Sequence, residues 1–225
     1  MIKMGHRGAA GYADENTLAS FKKAIELKVD AIELDIRKCK TGELVVIHDE
    51  AVERTTNGKG LVAEKTLNEI KSLQTQNSEK IPTLQEALNT IDKQTKVSIH
   101  LKEKGLSEQL FRLIEKYVTE QGWQYSDFII ESFSHKELSN FHNLNQNIEL
   151  VLLLNWTRII PLKFVKKEKI SVLGTQFRSL SKRFVSKAHE ENLKVLTWGA
   201  NEQKSIDKVK NLGVDYIISD FPDLI

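Results

Sequence analysis

Short apolar runs alternate with amphipathic stretches along nearly the whole chain. The runs are Ile2 to Met4, Ala31 to Ile36, Leu44 to Ile47, Lys96 to Leu101, Phe128 to Ser132, Glu149 to Leu154, Ser171 to Leu173, Lys194 to Thr197 and Tyr216 to Ser219. Their length and β-branched content are those of strands. Between them, apolar residues recur at helical spacing. Leu18, Phe21 and Ile25 share a face behind a cap at Asn16 or Thr17. Leu110, Ile114 and Val118 share another that stops at Gly122, Phe184, Val185 and Ala188 mark a third, and Ile206, Val209 and Leu212 a fourth before Gly213. Repeated strand–helix units build a parallel sheet with helices outside. Their number suits an α/β chain of the TIM (β/α)8-barrel type. An open doubly wound sheet is the alternative, but no G-x-G-x-x-G follows the first strand.

Two stretches break the rhythm. Lys40-Thr41-Gly42-Glu43 separates two strand-like pieces and is too short for a crossover helix, so a hairpin is expected that brings Asp35 close to His48. This accounts for nine runs where a barrel needs eight. Residues 51–80 are polar and contain the turn signal Asn57-Gly58-Lys59-Gly60. They read as a loop insertion without a core of its own, within a single domain spanning residues 1–225.

Composition narrows the class. The 225 residues are 40% hydrophobic and 28% charged, enough for a sizeable core and unlike a disordered chain. The net charge is only +2, which argues against nucleic acid as a partner. The single cysteine, Cys39, excludes an intrachain disulfide and reads as a small side chain in or near a strand. No apolar run approaches the roughly 18 residues of a spanning helix, and the N-terminus leaves no room for a signal peptide before Gly5-His6-Arg7-Gly8; a cytoplasmic protein is expected. Lys163 to Lys169 reads as a solvated helix face, with a lipid-surface patch as the less favoured alternative.

In barrels of this type, functional groups sit at the C-terminal ends of strands. There the chain carries His6-Arg7, then Glu33 and Asp35 two residues apart on one strand face, then His48-Asp49, His100 with Lys102, Trp198 to Asn201 and Ser219-Asp220. Two adjacent carboxylates repel unless a cation lies between them, and hard oxygen donors select Mg²⁺, Ca²⁺ or Mn²⁺. Imidazoles titrate near neutrality and can relay protons, while arginine and lysine hold phosphate oxygens. A lone E-x-D is more often solvated surface, and a lone strand-end histidine more often structural. Their co-occurrence at successive strand ends is what raises metal-assisted phosphoester chemistry as a reading.

The order H-R-G, E-N-T, E-L-D, V-V-I-H-D, R-T-T-N-G-K-G, I-P-T-L, W-G-A-N and G-V-D-Y-I-I-S-D-F-P, spanning Gly5 to Pro222, resembles the glycerophosphodiester phosphodiesterase family. The resemblance implies hydrolysis of glycerophosphodiesters to glycerol 3-phosphate and an alcohol with one divalent cation. It implies His6 and His48 as the acid–base pair, Glu33 and Asp35 as metal ligands, and Arg7 and Lys102 as phosphate contacts. Asn16 would order the first loop, and Phe133 and Trp198 would pack against glycerol. The glycerol 2-hydroxyl would attack phosphorus, and water would then open the cyclic phosphate.

The chain departs from the family pattern where a third ligand is expected. The usual E-x-K reads His100-Leu101-Lys102. His100 either faces the metal and tilts preference from Ca²⁺ toward a transition metal, or leaves its place to water. Gly199, Ala200 and Ser219 are smaller departures. Glu131 lies opposite Ser132 by strand alternation and is left out of the site, and His135, His142 and His189 read as structural or surface residues. Two other outcomes stay open: a related enzyme that releases the cyclic phosphate, and a non-catalytic barrel that binds phosphodiesters. The 51–80 loop is expected to shape the alcohol side of the pocket.

Overall fold

The computed structural model describes residues 1–157 and 159–225. Its elements alternate as the patterning predicts. The first half holds β1 (Ile2–Gly5), α1 (Leu18–Glu26), β2 (Ala31–Lys38), β3 (Leu44–Val46), α2 (Leu67–Ser72), α3 (Leu84–Ile91), β4 (Lys96–Leu101) and α4 (Ser107–Gln121). The second half holds β5 (Phe128–Ser132), α5 (His135–Leu144), β6 (Glu149–Leu154), α6 (Leu162–Lys167), β7 (Val172–Gln176), α7 (Lys182–Glu190), β8 (Lys194–Trp198), α8 (Gln203–Leu212) and β9 (Tyr216–Ser219). Eight strands run parallel in the order β1-β9-β8-β7-β6-β5-β4-β2, and β1 pairs with β2 to close the barrel. The ninth strand, β3, pairs antiparallel with β2 alone, Ile36 opposite Val46. The hairpin explains the surplus run, and the Ile47 N–H donates to the Asp35 carbonyl at 3.0 Å.

Helix ends follow the sequence signals. Thr17 caps α1 by accepting from the Ser20 N–H at 3.2 Å. Helices α4 and α8 stop at Gly122 and Gly213, both in the left-handed region.

Strand alternation sends side chains to two apolar layers. Outward-facing Leu34, Ile36, Ile99 and Ile130 pack with helix residues such as Leu84, Leu88, Leu110 and Ile114. Inward-facing Met4, Ala31, Ile129, Val151, Val172, Leu196 and Tyr216 fill the lower barrel. Toward the C-terminal ends of β2, β4 and β5 the inward positions change to Glu33, Asp35, Ser98, His100 and Glu131, all buried. A packed floor therefore supports a polar mouth.

The 51–80 segment differs from expectation. It contains α2, and Val52, Val62 and Ile70 are buried with Ile81, Cys39, Val45 and Ile47 in a third small cluster. Its apolar residues are too sparse to form a core alone, and they complete one begun by the β2–β3 hairpin. Cys39 lies in this cluster, its thiol donating to Glu43 at 3.1 Å. No helix among the described residues is long and apolar enough to cross a membrane.

Truncating fully buried Ile70 tests this packing. Ile70→Ala should lower the unfolding free energy by roughly 2–4 kcal/mol in urea titrations. A loss below about 0.5 kcal/mol, the scale of ordinary surface substitutions, would show the segment to be a loop without a core.

Candidate active site

A cavity of about 380 Å³ opens at the barrel mouth, lined by residues from all eight barrel strands or the loops that follow them. His6 and Arg7 follow β1, Glu33 and Asp35 lie on β2, and His48 follows β3. His100 and Lys102 come from the end of β4, Glu131 and Phe133 from β5, and Trp198 from β8. Every residue proposed from sequence for catalysis, metal or phosphate thus reaches one cavity. Asn16 does not line it but stands directly behind.

Glu33 and Asp35 are 3% and 1% exposed. The Glu33 carboxylate accepts the Arg7 backbone N–H at 2.9 Å. That bond holds Arg7 at a left-handed φ of 49°, and the next residue, Gly8 at φ 90°, has no space for a Cβ because Ser20 Oγ would lie 2.1 Å away. Asn16, also left-handed at φ 58°, accepts the Asp35 backbone N–H at 3.2 Å and donates Nδ2–H to the Asp35 carboxylate at 3.1 Å. The first loop is therefore tied to β2 through the two acids. Arg7 Nε lies 3.4 Å from Asp35, His100 Nδ1 3.2 Å from it, and Lys102 Nζ 3.6 Å from it.

These surroundings split the two acids. Burial raises the Asp35 pKa, but His100, Arg7 and Lys102 together drive it below the ordinary carboxylate range. Glu33 moves well upward, from burial first and then from the charges of Asp35 and Glu131. Donor atoms of Glu33, Asp35 and His100 lie within 4.8 Å of one another, close enough to share one ion. The charged side chains lining the cavity are Glu33, Asp35 and Glu131 against Arg7 and Lys102. With neutral imidazoles, and with all three acids ionised as a bound cation would hold them, this set carries one net negative charge. A divalent cation would reverse it to one positive charge, matched to a phosphodiester monoanion. The residues fit such a cation.

Of the three histidines lining the cavity, the two read as the acid–base pair are each held by a carboxylate on Nδ1. His6 Nδ1 is 2.5 Å from Asp220, and His48 Nδ1 is 2.5 Å from Asp49. Lys102 Nζ stands 3.0 Å from His48 Nε2. An ammonium can only donate, so His48 Nε2 accepts and Nδ1 carries the proton toward Asp49. Burial lowers the His48 pKa, with Arg7 and Lys102 opposing the upward pull of Asp35 and Asp49. Arg37 on β2 fixes the His48 backbone, donating to its carbonyl at 3.0 Å. Asp220 is held by Asn201, which donates to its carboxylate and accepts its backbone N–H at 3.0 Å.

Sequence reasoning missed several participants. Glu131 is 2% exposed and lines the cavity. The alternation that turns Phe133 inward also turns Glu131 inward, so its exclusion beside Ser132 was an error of parity. Asp35, His100 and Glu131 are register partners across β2, β4 and β5, and all three face the barrel interior. Ser98, one inward position below, donates to the Glu131 carboxylate. Arg54 of the R-T-T-N-G segment was also unassigned. It donates to Asp49 and, at 2.7 and 2.8 Å, to Glu15, which in turn accepts from Arg7 at 2.6 Å. This chain of charges links the 51–80 segment to both catalytic-side loops.

Phe133 and Trp198 meet edge to face, with ring centroids 6.1 Å apart, and form one apolar wall. Residues 51–80 contribute nothing to this cavity. They line a neighbouring one of about 390 Å³ through Arg54, Thr55, Gln76 and Asn77, facing residues 10–15. His135, His142 and His189 lie on α5 and α7, outside the site.

The sequence profile of the glycerophosphoryl diester phosphodiesterase family matches residues 6–224. A glycerophosphodiester phosphodiesterase of Caldanaerobacter subterraneus subsp. tengcongensis is 33% identical over all of this chain and 96% of its own length. One from Bacillus altitudinis is 34% identical over 97% of this chain and 94% of its own. Among solved structures, an Oleispira antarctica phosphodiesterase in complex with the product sn-glycerol-3-phosphate superposes with a TM-score of 0.88, at 28% identity, over 98% of this chain and 93% of that one. A Galdieria sulphuraria protein described as a glycerophosphodiester phosphodiesterase gives 0.85 at 30% identity, over 99% and 95%.

Glu131 provides a pH test in the cation-free protein. Burial, reinforced by Asp35 and opposed by Ser98, lifts its pKa from 4.5 to about 7. Between those values the folded state binds the extra proton, so stability falls as pH rises from about 4.5 to about 7 and is level above. Glu131→Gln should remove a decline of roughly 3 kcal/mol, read as the difference between variant and parent denaturation curves across pH. Parallel curves would show that Glu131 ionises as freely in the fold as in the unfolded chain.

Proposed function

The chain belongs to the glycerophosphoryl diester phosphodiesterase family, and on that premise we propose that the barrel-mouth cavity is where it works. It is an enzyme that hydrolyses glycerophosphodiesters to glycerol 3-phosphate and an alcohol. One observation carries the site assignment: two histidines, each anchored through Nδ1 to a carboxylate, border a buried set of three acids and two cations.

Arg7 and Lys102 take the phosphate oxygens, the guanidinium by its fork and the ammonium as a point charge. An anionic phosphate is a better partner for Lys102 than a neutral imidazole, so substrate frees His48 Nε2. His48 then accepts the proton of the glycerol 2-hydroxyl, whose oxygen bonds to phosphorus. The phosphorus–oxygen bond to the alcohol breaks, and His6 protonates the departing oxygen. Water opens the cyclic phosphate with the two histidines exchanging roles. Phe133 and Trp198 flank the glycerol carbons.

Glu33, Asp35 and His100, whose donor atoms converge, would hold the cation, with Glu131 beside them as a fourth ligand. A divalent ion bound there would neutralise charge on the phosphoryl oxygens. Glu131 supplies from β5 the carboxylate that the family pattern places on β4, and His100 adds a nitrogen that favours Mn²⁺, Fe²⁺, Zn²⁺ or Ni²⁺ over Ca²⁺ and Mg²⁺. We place the activity in the cytoplasm and in lipid and glycerol metabolism, where deacylated phospholipids are its substrates; a free, buried thiol at Cys39 is compatible with that setting.

Release of glycerol 3-phosphate from glycerophosphoethanolamine should stop with chelator and return with metal. His6→Ala and His48→Ala should each lower kcat by about 10²–10⁴. Phosphorus NMR that shows a cyclic phosphate accumulating as the end product would overturn hydrolysis to the monoester. Calorimetric titration separates the ligands from turnover: Glu131→Gln should weaken binding of Mn²⁺ about tenfold or more, and His100→Glu should shift selectivity toward Ca²⁺. Unchanged affinities in both variants would remove these two side chains from the metal site.

A further inference from the structure

The surface charge is distributed unevenly. Between residues 150 and 189 there are nine basic residues and one acid, Glu168. That stretch carries +8, so the other residues of a chain with net charge +2 carry −6. Within it lie the two most exposed large apolar side chains among the described residues, Trp156 at 79% and Ile159 at 77%. Single exposed apolar residues are ordinary, but two in one loop beside a one-signed cationic field are not.

Contacts place this loop on the rim of the barrel mouth. It follows β6, whose Leu153 lines the catalytic cavity, by a few residues. Thr157 donates to the Ser179 carbonyl at 2.9 Å, joining it to the loop after β7. Phe164 of α6 stacks on His135 with ring centroids 4.0 Å apart, joining it to the start of α5 just beyond cavity-lining Phe133. Exposed Lys163, Arg178, Lys182 and Arg183 stand on these loops or at the first turns of α6 and α7, and among the described residues none of them forms an ion pair with an acid. Lys166 and Lys167 differ, pairing with Glu191 and Glu168 at 2.9 Å. Four unneutralised cations thus gather on the mouth side, while Lys169 and Lys187, also without an acid partner among the described residues, lie at the far ends of α6 and α7.

We propose that this rim docks on an anionic lipid bilayer surface, with Trp156 and Ile159 seated at the headgroup–acyl boundary and Lys163, Arg178, Lys182 and Arg183 on lipid phosphates. The chemistry favours lipid over nucleic acid. A phosphate backbone would satisfy the cations but leave an exposed isoleucine with no gain, whereas a bilayer rewards both at once. Docking by the rim holds the mouth beside the membrane from which glycerophosphodiesters derive. The inference stands on surface composition, not on the catalytic assignment.

Co-sedimentation of the full chain with vesicles tests it. Phosphatidylglycerol-containing vesicles should pull the protein down, pure phosphatidylcholine should bind it at least about tenfold more weakly, and salt should release it. Trp156→Ala with Ile159→Ala, and separately Lys163→Glu with Lys182→Glu, should each weaken binding about tenfold or more, while turnover of soluble glycerophosphoethanolamine stays at the parent level. No sedimentation with anionic vesicles overturns the proposal, as does equal binding by parent and both variants. Tighter binding to a duplex oligonucleotide that is indifferent to Trp156→Ala and Ile159→Ala assigns the cations to nucleic acid and overturns it as well.

Discussion

Two carboxylates on one face of a buried strand, Glu33 and Asp35, set the terms for everything around them. Their mutual repulsion in a dry environment has to be relieved by positive charge or by a proton. Asp35 is relieved by Arg7, His100 and Lys102, and stays ionised. Glu33 has the Arg7 backbone N–H and the weaker pull of the Arg7 charge, and is left with its pKa pushed upward by burial and by Asp35 and Glu131. The unrelieved half of this problem makes the mouth fit for a cation, which would hold both acids ionised and offset their charge toward an anionic diester.

The rest of the site is arranged by hydrogen bonds that run outward from those acids. Asn16 and Arg7 clamp the first loop to β2, Arg37 fixes the backbone at His48, and Glu15 with Arg54 joins Arg7 to the carboxylate that orients His48. The 51–80 segment therefore acts on the catalytic side without entering the cavity. Its small apolar cluster anchors one end of this chain of charges and Asp35 the other, so Arg54 connects packing to chemistry.

The metal side shows how a ligand set can be rearranged within a fixed barrel. Parallel strands in register turn paired residues to the same face, so Asp35, His100 and Glu131 all face the barrel interior. On the proposed reading, Glu131 on β5 stands in for the carboxylate that β4 lacks. This exchange is open to closed parallel sheets, where side chains from several strands converge on one axis.

Much of this was legible in the chain because it depends on local periodicity. Short β-branched runs identified the strands, helical spacing identified α1, α4, α7 and α8, and the four-residue turn exposed the hairpin that joins Asp35 to His48. The strand-end polar residues were readable for the same reason, since a side chain's direction along a strand follows from its parity. The same rule, applied through Phe133, contained Glu131 as well. What sequence alone could not reach were partners far apart in the chain: Asp220 on His6, Arg54 on Asp49 and Glu15, and Ile70 against Cys39. Those pairings follow from barrel closure and from loops folding over its rim. Local pattern decides which way a residue faces; only the closed structure decides what it meets there.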